Sequence, residues 1–183
     1  GPHLVYLPLV MRNYTPLPDL VVTALEASSY GVTVTIENWG NAAVDDAFWV
    51  DVYINPDTVP QSVNEIWMYV GDYGLAWGVP TNLTPMRPRD VLTLTIGDAY
   101  YYPEYSNVTW PLTASTVLYA QVDSNNPGIV FGAVLENHEA EERPYNNIFG
   151  PVQPSVIQRQ GTPPSTGGAR PRPDALPPRP SHP

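Results

Sequence analysis

Short runs in which β-branched or aromatic residues alternate with polar ones, each closed by Gly, Pro, Asn or Asp, recur along most of this chain. Alternation with period two places successive side chains on opposite faces of an extended backbone, so it is the signature of half-buried strands. Leu20 to Leu25 and Gly31-Val32-Thr33-Val34-Thr35-Ile36-Glu37 show it first, followed by the turn residues Asn38-Trp39-Gly40-Asn41. Phe48 to Ile54, Ile66 to Val70, Val91 to Ile96 and Val117 to Val122 continue the pattern, and Ile129-Val130-Phe131 adds a short run. No segment keeps a helical period of 3.6. The best helical candidate, Leu135 to Arg143, lies between Gly132 and Pro144 and reads as an acidic loop. About seven short strands separated by turn signals predict an all-β fold, an antiparallel β-sandwich. Its expected inter-sheet core includes Val34, Ile36, Trp49, Val52, Leu94, Leu118 and Ala120.

Composition divides the 183 residues into three parts. Residues 1–18 form an apolar arm punctuated by Pro, residues 19–153 the strand-rich body, and residues 154–183 a Pro/Gly-rich tail. Such a tail cannot build a core and is expected to be extended, as polyproline II or disorder. It carries four Arg against Asp174, a net charge of +3, whereas the rest of the chain sums to -13. The opening Gly1-Pro2, without an initiator Met, reads as the start of a processed chain or as a protease scar.

Several chemistries drop out at once. There is no Cys, hence no disulfide, no thiolate nucleophile and no Cys-ligated metal. All eight basic residues are Arg, which removes Schiff-base and Walker-type lysine chemistry. A formal charge of -10 opposes binding to nucleic acid or anionic lipid, and no apolar run is long enough to span a bilayer. His3 and His182 sit in the terminal segments, and His138 lies in the acidic loop without a nucleophile beside it in sequence. The chain therefore reads as non-enzymatic and without a cofactor.

Three kinds of binding residue stand out. The acidic loop, Glu136 to Glu142, with Asp123, Asn125 and Asn146, supplies the hard oxygens that Ca²⁺ prefers, Asp123, Glu136 and Glu139 being the candidates. It lacks EF-hand spacing and reads first as a solvated loop, so a fold indifferent to Ca²⁺ and EDTA is expected. Trp39, Trp49, Trp67, Trp77 and Trp110 with twelve Tyr offer a stacking platform for glycans, although Trp49 and Trp67 sit within strand patterns. Tyr100-Tyr101-Tyr102-Pro103-Glu104-Tyr105 reads rather as an exposed surface for a protein partner. Finally, Asn13, Asn82 and Asn107 begin N-x-[ST] sequons, and Thr162, Ser165 and Thr166 in the tail suit O-linked sugars by composition.

Five segments together resemble the CARDB domains, cell-adhesion-related surface modules of bacteria and archaea. They are Pro18-Asp19-Leu20-Val21-Val22, Val32 through Ala42, Phe48 through Ile54, Tyr119 through Ser124 and Glu141 through Asn147. The resemblance spans roughly residues 18–152 and departs from the family in Asn55 to Arg89, which reads as an insertion. It implies an immunoglobulin-like sandwich and an extracellular module, used as a linker or scaffold in large surface proteins. It also implies that the closing Glu/Asn-Asn pattern pins the last strand.

The arm holds Leu4, Val5, Tyr6, Leu7, Leu9, Val10 and Met11, apolar and strand-compatible, with Pro8 in the middle. A strand tolerates Pro only where the missing N–H faces away from a partner. These seven residues are the expected subunit interface, donated to a neighbouring copy's sheet edge, with docking on the arm's own sandwich as the rival. The sequence thus predicts a secreted structural protein that self-assembles into a filament or surface layer. The alternative is a monomeric adhesion or carbohydrate-binding module of a larger surface protein.

Overall fold

The computed structural model describes residues 15–63, 65–81, 85–124, 134, 136 and 145–155. The arm residues 4–11, the sequons at Asn13 and Asn82, the run 129–131, Glu139 and the tail sites Thr162, Ser165 and Thr166 lie outside them. Seven strands form: β1 (Leu20–Ser28), β2 (Gly31–Asn38), β3 (Phe48–Ile54), β4 (Tyr73–Val79), β5 (Val91–Thr95), β6 (Leu118–Val122) and β7 (Ile148–Val152). They make two antiparallel sheets, ordered β1-β2-β5 and β4-β3-β6-β7. This is an immunoglobulin-like β-sandwich.

Alternation decides the inner faces. Val32, Val34, Ile36 and Leu94 of one sheet meet Phe48, Val50, Val52, Leu75, Trp77, Leu118, Ala120 and Val122 of the other. Each large apolar side chain withdrawn from water this way contributes about 1.5–3 kcal/mol. The outward residues Thr33, Thr35, Thr93 and Thr95 face each other across β2 and β5.

The four-stranded sheet departs from that rule, because β3 is buried at every position. Its outer residues Trp49, Asp51 and Tyr53 are covered by the 55–72 connection, by a 3-10 turn at Trp67–Tyr69 and by a second at Pro103–Tyr105. Trp49 is therefore buried, but on the outer face under Tyr102 and Tyr105 rather than between the sheets.

Two further expectations are corrected. Ile66 to Val70 holds the 3-10 turn instead of a strand, and a strand the alternation did not mark, β4, follows from Tyr73. Covered on both faces, β4 shows no alternation, and its glycines argue against a strand. Gly74 is required there, since a Cβ at that position would fall inside the Trp67 ring. The segment Asn55 to Arg89 thus contains a core strand and is not simply an insertion.

β1 and β7 run the same way along one flank. Asn146 Nδ2 donates to Asp19 Oδ1 (2.9 Å) where both begin, and Ser155 N donates to Ala27 O (2.9 Å) where both end.

At the start of β5, Arg89 N donates to Asn38 O (2.8 Å) and Asn38 N donates to Asp90 O (3.2 Å), with Arg89 at φ +70°. Two residues opposite one, the first left-handed, is a G1 bulge, a position that glycine occupies without steric cost. The surface pair of Arg89 with Glu37 (3.7 Å) returns little. Arg89→Gly is expected to raise unfolding free energy by up to about 1 kcal/mol. A loss of stability on chemical denaturation would contradict the bulge assignment.

Candidate functional site

The buried carboxylates come first, since an unpaired buried charge is costly and its partners show what it is for. Asp51, on the outer face of β3, accepts from Trp67 N (2.8 Å) and from Ser124 Oγ (2.7 Å). It clamps the covering turn to the sheet, and Trp67 Nε1 continues the clamp to Tyr105 O (3.0 Å). Beside it the Tyr53 hydroxyl lies between Glu65 O and Gln121 Oε1, while Gln121 Nε2 donates to Ser62 O (3.0 Å) and to the Tyr145 hydroxyl.

On the β1/β7 flank, Glu136 is fully buried and accepts from Leu20 N and from Asn147 Nδ2 (2.6 Å). Asp123 accepts from Val134 N (2.9 Å). Asn147 also pairs with the β6 backbone, accepting Val122 N at its carbonyl (3.0 Å), which is the pinning role implied for the closing Asn-Asn pattern. The solvated-loop reading is thus corrected for Glu136, and Asp123, weighed with it for Ca²⁺, is buried as well. Both are inside the protein and hold backbone N–H groups, an arrangement that neither the acidic run after Glu136 nor the Ser-Asn-Asn after Asp123 announces. The Oδ1 atoms of Asn146 and Asn147 are buried without a partner among the described residues. Among the described residues no group of three or more His, Asp or Glu is placed to hold a metal ion.

The aromatic candidates separate. Trp67 and Trp77 are fully buried, Trp49 nearly so, Trp110 is half-buried beside Tyr30, and Trp39 stands 49% exposed. The tyrosine run is no open partner surface. Tyr101 and Tyr102 are buried, and the segment is bonded along the outer edge of β4: Gly78 N to Tyr100 O, Tyr102 N to Ala76 O, and Gly74 with Asn107 in both directions, all at 2.8–2.9 Å. The sequon residue Asn107 uses its Nδ2 on Asp72 O (2.7 Å).

Covering β4 leaves a contrast with β5. The bulge sets the alternation, so that Asn38, Ile36 and Val34 bond toward β5 while Trp39 N turns to Asp19 O on the other side. Val91, Thr93 and Thr95 therefore direct their N–H and C=O groups away from β2. Those of Thr95 are taken, by Asp98 Oδ2 (2.7 Å) and by Trp77 Nε1 (3.0 Å). Those of Val91 and Thr93 have no partner among the described residues. Beside them opens a groove of about 370 Å³, lined by Val79, Pro80, Met86, Val91, Leu92 and Tyr100 with Asp90 at its rim. This open edge is the candidate interaction site.

No protein-family model matches the chain, and no curated protein matches it. Among solved structures it is similar to a CARDB domain from Pyrococcus furiosus, crystallised in complex with di-metal ions. The likeness covers 74% of this chain and 91% of that one, at 19% identity and a TM-score of 0.40. No helix among the described residues is long and apolar enough to cross a membrane.

Two tests follow from these contacts. Asp51→Ala strands Trp67 N–H and the Ser124 hydroxyl, and is expected to cost about 2–4 kcal/mol in denaturant unfolding; a cost below about 1 kcal/mol would remove the clamp from the account. Burial raises the pKa of the Tyr101 phenol, against a smaller opposing effect of its hydrogen bond with Ser106. The folded state therefore holds that proton more tightly than the unfolded state. Its contribution is complete below pH of about 10 and lost as pH rises through the folded-state value. Tyr101→Phe should flatten the alkaline fall in stability, and an unchanged slope above pH of about 10 would refute the assignment.

Proposed function

We propose that this protein is an extracellular, non-catalytic structural module, a scaffold unit of the adhesion-related surface kind. The observation that carries this reading is the use of its buried carboxylates. Asp51, Asp123 and Glu136 are each spent on backbone N–H groups that fasten covering segments to the sandwich. Acceptors committed to holding loops in place build a rigid body. The resemblance of the five sequence segments to surface modules points the same way.

A second reading makes the chain the subunit of a filament or surface layer, each copy donating its N-terminal arm to a neighbour. The open β5 edge favours it, because unpaired strand edges are templates for a further strand. An exchange of that kind is head-to-tail and yields an open array unless the rotation closes it. Glycan binding is left with Trp39 as its exposed tryptophan among the described residues.

Light scattering and electron microscopy of native material separate these readings. The scaffold unit is expected as a monomer near 20.2 kDa, whereas ordered polymers at native concentration would establish the filament subunit. Saturable binding to a surface polysaccharide that Trp39→Ala abolishes would replace both with a carbohydrate-binding function.

A further inference from the structure

We propose that residues 4–11 of the chain dock on the β5 edge of their own sandwich, as an antiparallel fourth strand of the β1-β2-β5 sheet.

The acceptor is defined by what it lacks. Val91 and Thr93 present N–H and C=O groups outward with no partner among the described residues, and the Val91 side chain is 61% exposed. The adjoining groove is walled by Val79, Pro80, Met86 and Leu92. A strand laid along this edge would satisfy the backbone and cover those side chains together. β1 and β4 show the same need met elsewhere: Ser155 and Glu136 bond the β1 backbone, and residues 100–107 bond β4.

The occupant fits on four counts. The run Leu4-Val5-Tyr6-Leu7-Pro8-Leu9-Val10-Met11 is apolar throughout, and Pro8 decides its phase. Its missing N–H must face away from β5, so Leu7 and Leu9 bond to the edge. Leu7 and Leu9 then lie on the face of Val91, while Tyr6, Pro8 and Val10 turn with Leu92 toward the groove.

The arm also starts in the right place. Ala42 N donates to Leu17 O (3.3 Å), and a single Asn38 amide nitrogen donates both to Ala42 O (2.8 Å) and to Met86 O (3.0 Å). Leu17 is thus one loop from Met86, at the end of the sandwich where β5 begins. A few residues at about 3.3 Å each cover that distance. Running back from there along β5, the arm would lie antiparallel to it, the more favourable pairing.

Charge agrees as well. Residues 1–14 contain His3 and Arg12 and no acidic residue. Asp90 is part of the groove lining and exposed, and Asp46, also exposed, is tied to the lining residue Thr81 through its backbone carbonyl, which accepts the Thr81 hydroxyl.

Because the chain has no Cys, engineered pairs report without background. Val91→Cys is combined in the full-length chain with Cys at position 5, 6, 7, 9 or 10, oxidised mildly at high dilution, and read by non-reducing electrophoresis and peptide mass spectrometry. The expected result is a monomer cross-linked through positions 7 and 9 at least tenfold more than through 6 and 10. Disulfide-linked oligomers with the same alternation would overturn docking on the arm's own sandwich and support the filament subunit. Absence of cross-links, or equal yields at all positions, would overturn the strand itself. Amide exchange in the unsubstituted chain is the second readout. Val91 and Thr93 should exchange at least tenfold more slowly than in a Tyr6→Asp, Val10→Asp variant, whose charges would face the groove, and equal rates would refute the pairing. Absent or unphased cross-links and equal exchange rates leave the scaffold reading standing, since it is judged separately by particle size and glycan binding, whereas oligomers count against both.

Discussion

Phe48–Ile54 is buried on both faces, and most of the molecule's departures from a plain sandwich follow from that constraint. One face of β3 belongs to the inter-sheet core. The other carries Trp49, Asp51 and Tyr53, a set that water would solvate poorly on one count and well on another. The long 55–72 connection resolves this by folding back over the sheet. Trp67 packs against Tyr53 and closely over Gly74, while Asp51 accepts the backbone N–H of Trp67. A carboxylate in such surroundings is tolerable because its hydrogen bonds replace hydration. The cover in turn requires its own fastening, which Tyr105 and the second 3-10 turn provide.

The same economy governs the sheet margins. A bare strand edge invites pairing with other chains. Here β4 is lined by residues 100–107, and β1 receives bonds from Glu136 and Ser155. At β5 the G1 bulge at Arg89–Asp90 fixes which backbone groups face outward, and Trp77 and Asp98 take those of Thr95. The tyrosine-rich segment, which resembles a docking surface when read as sequence, is spent on this internal task.

What could be read in advance was what alternates. β1, β2, β5 and β6 each have one face toward the core and one toward water or cover, so period two survives in their sequences. β4 does not alternate, because both of its faces are occupied, and Gly74 and Gly78 look like turn residues until the Trp67 ring is in place. β7 is short and contains Gly150-Pro151, which reads as a break. Trp49 was legible as buried but not as outward-facing, since the phase of β3 is masked by apolar residues at both parities. Glu136 and Asp123 were legible as carboxylates only. Their partners are backbone N–H groups of residues such as Leu20 and Val134, distant or unremarkable in sequence, which leave no compositional trace.

The shared direction of β1 and β7 has a mechanical consequence. The body begins at Asp19, beside Asn146, and leaves past Ser155, beside Ala27, so the two connections emerge from opposite ends of the strands. Tension applied through residues 15 and 155 would run along the strand axes. The interstrand hydrogen bonds lie across that axis, and would be loaded together in shear instead of being unzipped one at a time. Flexing at one end would first meet Asn38, whose amide grips two loops at once. A body threaded end to end in this way resists extension more than its modest size suggests.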